Sequence, residues 1–189
     1  MFKWSKPSKS DYIFLGAILI LLFTPLGTFV KIQVNRLLAF SPDVIEKTDQ
    51  KKLEDYRWIL MDAQENRVDF SNQEGRVTIV NYWATWCPPC LAEMPSFQSL
   101  YEDYKDRVDF MFVSNEDLKI TQAYLSRKNY TLPSYKPLSD PPSLLFTESL
   151  PTSYLIDKEG NILIKKVGAA DWNSEKTRAI LDQTLGENF

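Results

Sequence analysis

Val80-Asn81-Tyr82-Trp83-Ala84-Thr85-Trp86-Cys87-Pro88-Pro89-Cys90 is a β-branched and aromatic run that breaks at a turn holding two cysteines. Together with the three residues before it, Val77–Trp83 has the composition of a buried central strand. From Pro89 to about Tyr104, Met94, Phe97, Leu100 and Tyr101 are spaced as the apolar stripe of a helix. A Cys-x-x-Cys placed where a buried strand becomes a helix sets its first sulfur beside unpaired N–H groups and the positive end of the helix dipole. That setting favours the thiolate, the attacking species in disulfide exchange. Cys87 is therefore the candidate nucleophile. Cys90, on the same side of the first turn but deeper, is the candidate resolving thiol that attacks a mixed disulfide.

The neighbours of the two sulfurs extend this reading. Pro88 and Pro89 fix φ and lack N–H groups, which stiffens the turn. Trp86 is placed to cover the apolar surface around the sulfurs and to offer a docking patch, and Trp83 is expected to point the same way. Glu93, one turn after Cys90, is a candidate proton relay to the resolving thiol, the alternative being an exposed helix carboxylate. Pro95 removes a mid-helix hydrogen bond and should kink the helix. Pro151, just before a short strand, is a candidate cis proline that would leave the Leu150 backbone free to pair with an extended segment; the alternative is a trans turn proline.

On either side of this junction, Trp58–Met61 and Val68–Phe70 are short strand candidates, and Val108–Val113 is a strand. Ser114 to Asp117 reads as a helix start, with Ser114 as the cap and Asp117 at the acid position, for a helix reaching about Asn129. Thr131 to Leu144, rich in Pro and Ser, reads as an irregular loop. Thr152–Ile156 and Ile162–Val167 form an antiparallel hairpin around the turn Asp157-Lys158-Glu159-Gly160-Asn161, and Ser174–Leu185 is a closing helix. A parallel βαβ unit joined to an antiparallel hairpin gives an α/β fold with a mixed sheet and helices on both faces.

The chain's 189 residues hold one ordinary domain, expected over 56–189. Ahead of it, residues 12–30 (Tyr12–Val30) carry no charge and as a helix would span roughly 28 Å, enough to cross a bilayer. Lys3, Lys6 and Lys9 in the basic tail 1–11 place the N-terminus in the cytoplasm and the domain on the periplasmic, extracytoplasmic side. A cleaved signal peptide and a buried helix are the other readings; no Ala-x-Ala-like site follows the run, which favours the retained anchor. Residues 31–55 read as an amphipathic juxtamembrane piece and polar linker broken at Ser41-Pro42, with Ile32, Leu37, Leu38 and Phe40 as candidates to lie on the membrane.

Composition excludes several chemistries. Residues 1–40 carry five cations against Asp11 alone, so in a chain of net charge −3 the remainder is −7 and lacks the basic cluster that nucleic-acid binding requires. With two cysteines and no histidine, a Cys-His or Ser-His nucleophile pair is impossible, and one Cys-x-x-Cys supplies only half the ligands of a zinc or iron–sulfur site.

The residues from Val80 to Cys90, then Glu93-Met94-Pro95, then Pro151-Thr152-Ser153-Tyr154-Leu155-Ile156-Asp157-Lys158-Glu159-Gly160, together resemble the TlpA-like (ResA-type) branch of the thioredoxin superfamily. The likeness covers roughly Tyr56 to Leu185. It implies a thioredoxin-like three-layer α/β/α fold and an extracytoplasmic disulfide reductase held by one N-terminal helix. It implies that Pro151 is a cis proline facing the Cys-x-x-Cys, that Glu93 is the active-site glutamate, and that Asn81 stands where thioredoxins proper carry a buried acid. It also implies that Ser114 to Leu144 holds the branch's extra helix and loop. Leu150 before the proline departs from the pattern and leaves partner choice open.

The substrates implied are disulfides of exported proteins, apocytochrome c cysteines among them. With no third cysteine as an internal relay, electrons would come from a separate membrane protein, and no bound cofactor or metal is expected beyond the Cys87–Cys90 disulfide. The rival readings are a Cu(I)-carrying metallochaperone, an oxidant or isomerase of exported proteins, a binding module and a peroxidase.

Overall fold

The computed structural model describes residues 8–12, 14, 16, 25–37 and 39–186. Residues 13, 15 and 17–24 of the anchor expected over residues 12–30 lie outside them, and among the described residues no helix is long and apolar enough to cross a membrane.

The chain folds around β3 (Thr78–Tyr82), a β-branched strand buried along most of its length. β3 pairs in parallel with β4 (Asp109–Val113), from Thr78 opposite Asp109 to Tyr82 opposite Val113. On its other side it pairs antiparallel with β6 (Thr152–Ile156). The remaining strands are β1 (Ile59–Met61), β2 (Arg67–Asp69), β5 (Ser134–Pro137) and β7 (Ile162–Val167), and the mixed sheet runs β2-β1-β5-β4-β3-β6-β7. The helices are α1 (Pro25–Leu37), α2 (Pro88–Tyr104), α3 (Leu118–Arg127) and α4 (Glu175–Leu185).

Alternate residues of the central strands enter two separate cores, as the two-residue period of a strand requires. Ile79, Phe110, Phe112 and Leu155 join Met94, Phe97 and Leu100 of α2, Tyr124 and Leu125 of α3 and Leu181 of α4 in one core. Val80, Met111, Tyr154 and Ile156 join Trp58, Leu60, Phe70 and Leu145 in the other. Thus α2, α3 and α4 all cover one face. The opposite face is closed by the β1–β2 region and by two 3₁₀ turns, Phe70–Gln73 and Ser143–Leu145, which corrects the expectation of regular helices on both faces. The physical reason is the direction of the crossovers: β3 to β4 and β4 to β5 step the same way across the sheet, and right-handed connections in one direction lie on one face.

Four local details differ from the sequence reading. β5 forms within the stretch expected to be irregular, parallel to β4 and antiparallel to β1. It is four residues long and ends on a proline, so its strand character comes from two long-range partners rather than from its own pattern. α3 begins at Leu118, capped by the Asp117 carboxylate on Lys119 N at 2.9 Å, while Ser114 instead accepts from Glu116 N at 3.3 Å. Residues 39–55, expected as a polar connector, run along the domain: Asp171 N donates to Phe40 O at 3.1 Å, Ile45 N to Leu163 O at 2.8 Å and Leu53 N to Gly160 O at 2.8 Å. α1 packs on α2, and Ile32, expected as a membrane contact, packs against the first core.

Candidate active site

The site lies where β3 and β4 end, the side of a parallel pair at which chain reversals leave a crevice. Past β3, Trp83 N donates to Val113 O at 3.0 Å, and Cys87 N closes a turn onto Ala84 O at 3.2 Å. Cys87 is the N-cap of α2. Pro88 and Pro89 occupy the first two helical positions, where a missing N–H leaves no helical bond unmade. They also remove two of the donors expected around the sulfur. The first-turn donor that remains is Cys90 N, which points at Cys87 Sγ at 3.3 Å.

The two sulfurs form a disulfide, Cys87–Cys90. Cys90 is fully buried, whereas Cys87 keeps 4% exposure and lines a cleft with Trp86, Pro88, Pro89, Glu148 and Leu150. Trp86 is 70% exposed at the rim. The Leu150–Pro151 bond is cis, as the resemblance implies. Pro151 itself is buried, and its carbonyl accepts from Gly168 N at 2.9 Å. Five candidate residues, Trp86, Cys87, Pro88, Pro89 and Leu150, therefore line one cleft, with Cys90 bonded to Cys87 and Pro151 next to Leu150 in the chain. Trp83 is not among them: it is buried in the first core with its ring 5.9 Å from that of Tyr124, so it supports the loop from below rather than joining the exposed patch.

Glu93 sits three residues after Cys90 on the same helix face and is buried to 1% exposure, which rules out the exposed-carboxylate reading. Its Oε1 accepts from Asn81 Nδ2 at 2.7 Å, and its Oε2 accepts from Ala170 N and Trp172 Nε1, both at 3.3 Å. Burial pushes its pKa up to about 8, while these donors and the charge of Lys166 pull the other way. Asn81 also donates to Ser153 Oγ at 2.8 Å, which ties β3, β6 and α2 together beneath the sulfurs. Pro95 lies inside α2, where Ser96 Oγ donates to Glu93 O at 2.7 Å and accepts from Trp172 N at 3.2 Å.

Sequence reasoning missed Trp172, Ser153, Glu148 and the pair Thr85–Glu116. Trp172 is fully buried, stacked on Phe97 with ring centroids 5.0 Å apart. It lies 79 residues from the carboxylate it touches, and no local pattern announces that contact. Among the described residues no group of three or more His, Cys, Asp or Glu side chains is placed to hold a metal ion.

A disulfide at the start of a helix, one sulfur on a cleft and the other above a buried acid, on a mixed sheet, defines the thioredoxin-like class of dithiol proteins. The chain belongs to the Redoxin family, which its residues 40–185 match. It is homologous to ResA-type thiol-disulfide oxidoreductases. It is 30% identical over 115 residues to a thiol-disulfide oxidoreductase ResA of Bacillus cereus, covering 59% of this chain and 66% of that one. It is 25% identical over 148 residues to the sporulation thiol-disulfide oxidoreductase A of Bacillus subtilis, covering 74% and 87%. The first of these matches spans just under two thirds of the relative's length. In fold it resembles a crystal structure described as a candidate thiol:disulfide interchange protein DsbE of Chlorobium tepidum. That likeness has a TM-score of 0.60 and 23% identity, over 72% of this chain and 99% of the other.

Proposed function

We propose that this protein is a thiol:disulfide oxidoreductase that reduces disulfides of exported proteins, cysteine pairs of apocytochrome c included. It works from the outer side of a membrane to which residues 12–30 tether it. The observation that carries this reading is the division of labour between the sulfurs: Cys87 lines the cleft, and Cys90 is buried three residues from a buried acid.

In the reducing direction the Cys87 thiolate attacks one sulfur of the substrate disulfide. The S–S bond breaks, and the other substrate sulfur leaves as a thiolate. Cys90 then attacks Cys87 Sγ as its proton passes to Glu93, releasing the second substrate sulfur and leaving the Cys87–Cys90 disulfide. Recharging runs in reverse: a dithiol on a membrane electron-donor protein attacks Cys87, and protonated Glu93 returns its proton to the departing Cys90 sulfur. A carboxyl with a pKa of about 8 is matched to both halves of this cycle near neutral pH. The apolar rim of Trp86, Pro88, Pro89 and Leu150 suits an extended segment around the substrate cysteine, and Leu150 offers its backbone for strand-like pairing.

The test is the equilibrium potential of the Cys87–Cys90 pair in the full-length chain against glutathione and thioredoxin standards. A potential of about −250 mV or lower is the expected result for a reductant. A value of about −120 mV would make the protein an oxidant and overturn the direction proposed.

A further inference from the structure

The Thr85–Trp86 turn carries the rim tryptophan and leads directly into Cys87, yet its own chain does little to hold it. Apart from Cys87 N on Ala84 O, the hydrogen bonds of residues 84–86 within the described part of the chain all go to one side chain. Thr85 N donates to Glu116 Oε2 at 2.6 Å, and Thr85 Oγ1 donates to Glu116 Oε1 at 2.7 Å. Both carboxylate oxygens are thus engaged, side by side, by one residue two positions before the sulfur, in charge-assisted bonds of the strong kind.

Glu116 is itself held in place. It lies between the end of β4 and the α3 cap Asp117, and its N–H donates to Ser114 Oγ at 3.3 Å. Buried Ser114 is anchored in turn by its N–H on Tyr135 O at 2.9 Å. A preformed carboxylate on the loop after β4 therefore grips the loop after β3, two residues before Cys87.

We infer that Glu116 is a positioning residue for the redox site: through Thr85 it fixes the turn that sets Cys87 against the N–H of Cys90. This inference rests on the reading of Cys87 as the attacking sulfur. With Pro88 and Pro89 at the first two helical positions, alignment of Cys87 Sγ with that one donor matters more than in a helix with three free N–H groups. A loosened turn spreads Sγ over positions where the donor no longer faces it, and the thiolate is lost in favour of the thiol.

A carboxylate near a thiolate also acts through its charge, in the opposite direction, by disfavouring a second anion. The two effects separate in a pair of uncharged variants. In Glu116→Gln, the side-chain oxygen accepts from Thr85 N and the amide donates to Thr85 Oγ1, so both bonds are kept. In Glu116→Ala both are gone.

The experiment uses the full-length chain with Cys90→Ala, in which Cys87 is the one remaining thiol, and follows thiolate absorbance against pH for Glu116, Glu116→Gln, Glu116→Ala and Thr85→Val. The expected result is a Cys87 pKa about one unit higher in Glu116→Ala than in Glu116→Gln, a tenfold loss of thiolate below both values. Glu116→Gln stays at or slightly below the parent, and Thr85→Val, which keeps its N–H but loses the hydroxyl bond, falls between. Circular dichroism in the near ultraviolet establishes that each variant is folded. Equal values in the Ala and Gln variants would overturn the inference, because charge alone would then account for Glu116. The underlying reading fails separately: a parent Cys87 that titrates at about 8.5 or above, as an unperturbed thiol does, is not an activated nucleophile.

Discussion

Glu93→Gln tests the buried acid through stability, without reference to any substrate. Glu93 titrates at about 8 in the folded protein against 4.5 when unperturbed, because burial penalises its charge. Below pH 4.5 both folded and unfolded forms hold the proton, and the group sets no pH dependence. Between 4.5 and about 8 the unfolded chain gives up the proton while the folded protein keeps it. Stability therefore falls by about 1.4 kcal/mol per pH unit, on the order of 5 kcal/mol across the window. A glutamine cannot titrate and removes this slope. It has its own cost, since Asn81 Nδ2, Ala170 N and Trp172 Nε1 are all donors and one of the two sites must now face an amide NH₂. That mismatch costs about 1–3 kcal/mol at every pH. Urea unfolding of both proteins from pH 5 to pH 8 should thus show the variant less stable at the acid end and more stable at the alkaline end, with the curves crossing between about pH 5.2 and about pH 6.6. All other groups titrate alike in the two proteins, so the difference isolates Glu93. Parallel stability curves would refute the account of Glu93 as a carboxyl held protonated by burial.

The other expectations concern the sulfurs, the cleft and the frame. Cys90→Ala should accumulate a mixed disulfide with a disulfide-containing peptide, visible on a non-reducing gel, and Cys87→Ala should not, since the buried sulfur is out of a substrate's reach. Trp172→Phe keeps the stacking on Phe97 but deletes the indole N–H that favours ionised Glu93, so the ionisation of Glu93, followed by carboxyl infrared absorption against pH, should move upward. Trp86→Ala should raise KM for a peptide disulfide several-fold while leaving the potential of the pair unchanged, because the ring is exposed at the rim and the donor to Cys87 Sγ is the backbone N–H of Cys90. Gly160→Ala should cost about 1–3 kcal/mol in thermal or urea unfolding with activity intact at 25 °C. The residue has φ +87°, and a Cβ there would sit 2.8 Å from Leu53 O and from the Tyr56 hydroxyl, at the far end of the domain from the cleft.

What was readable before folding was whatever is encoded over a few residues. The Val77–Trp83 run, the Cys-x-x-Cys at its end, the proline-started helix and the Asp157–Asn161 turn each declare themselves by composition and spacing, and the structure places each as read. The turn shows why: Asp157 caps its own loop, accepting from Glu159 N at 3.0 Å and from Asn161 N at 2.7 Å, so no distant residue is needed. The cap of α3 was misplaced by three residues because Ser114 and Asp117 both have capping side chains, and only the path out of β4 decides between them.

Two cysteines spaced as Cys87-x-x-Cys90 at the end of a β-branched run, in a chain without histidine, were enough to point to a thiol pair on a strand-to-helix junction. It took the folded chain to make Glu93 a buried acid rather than a solvated one, Trp83 core and Trp86 rim, to pair β5 as a strand, and to put α2, α3 and α4 on one face. Each of these depends on partners remote in the chain: Glu93 on Asn81 and Trp172, Thr85 on Glu116, β5 on β1 and β4. Burial and the pairing of strands are properties of what surrounds a residue. Those surroundings are assembled from segments tens of residues apart, which no local period in the sequence records.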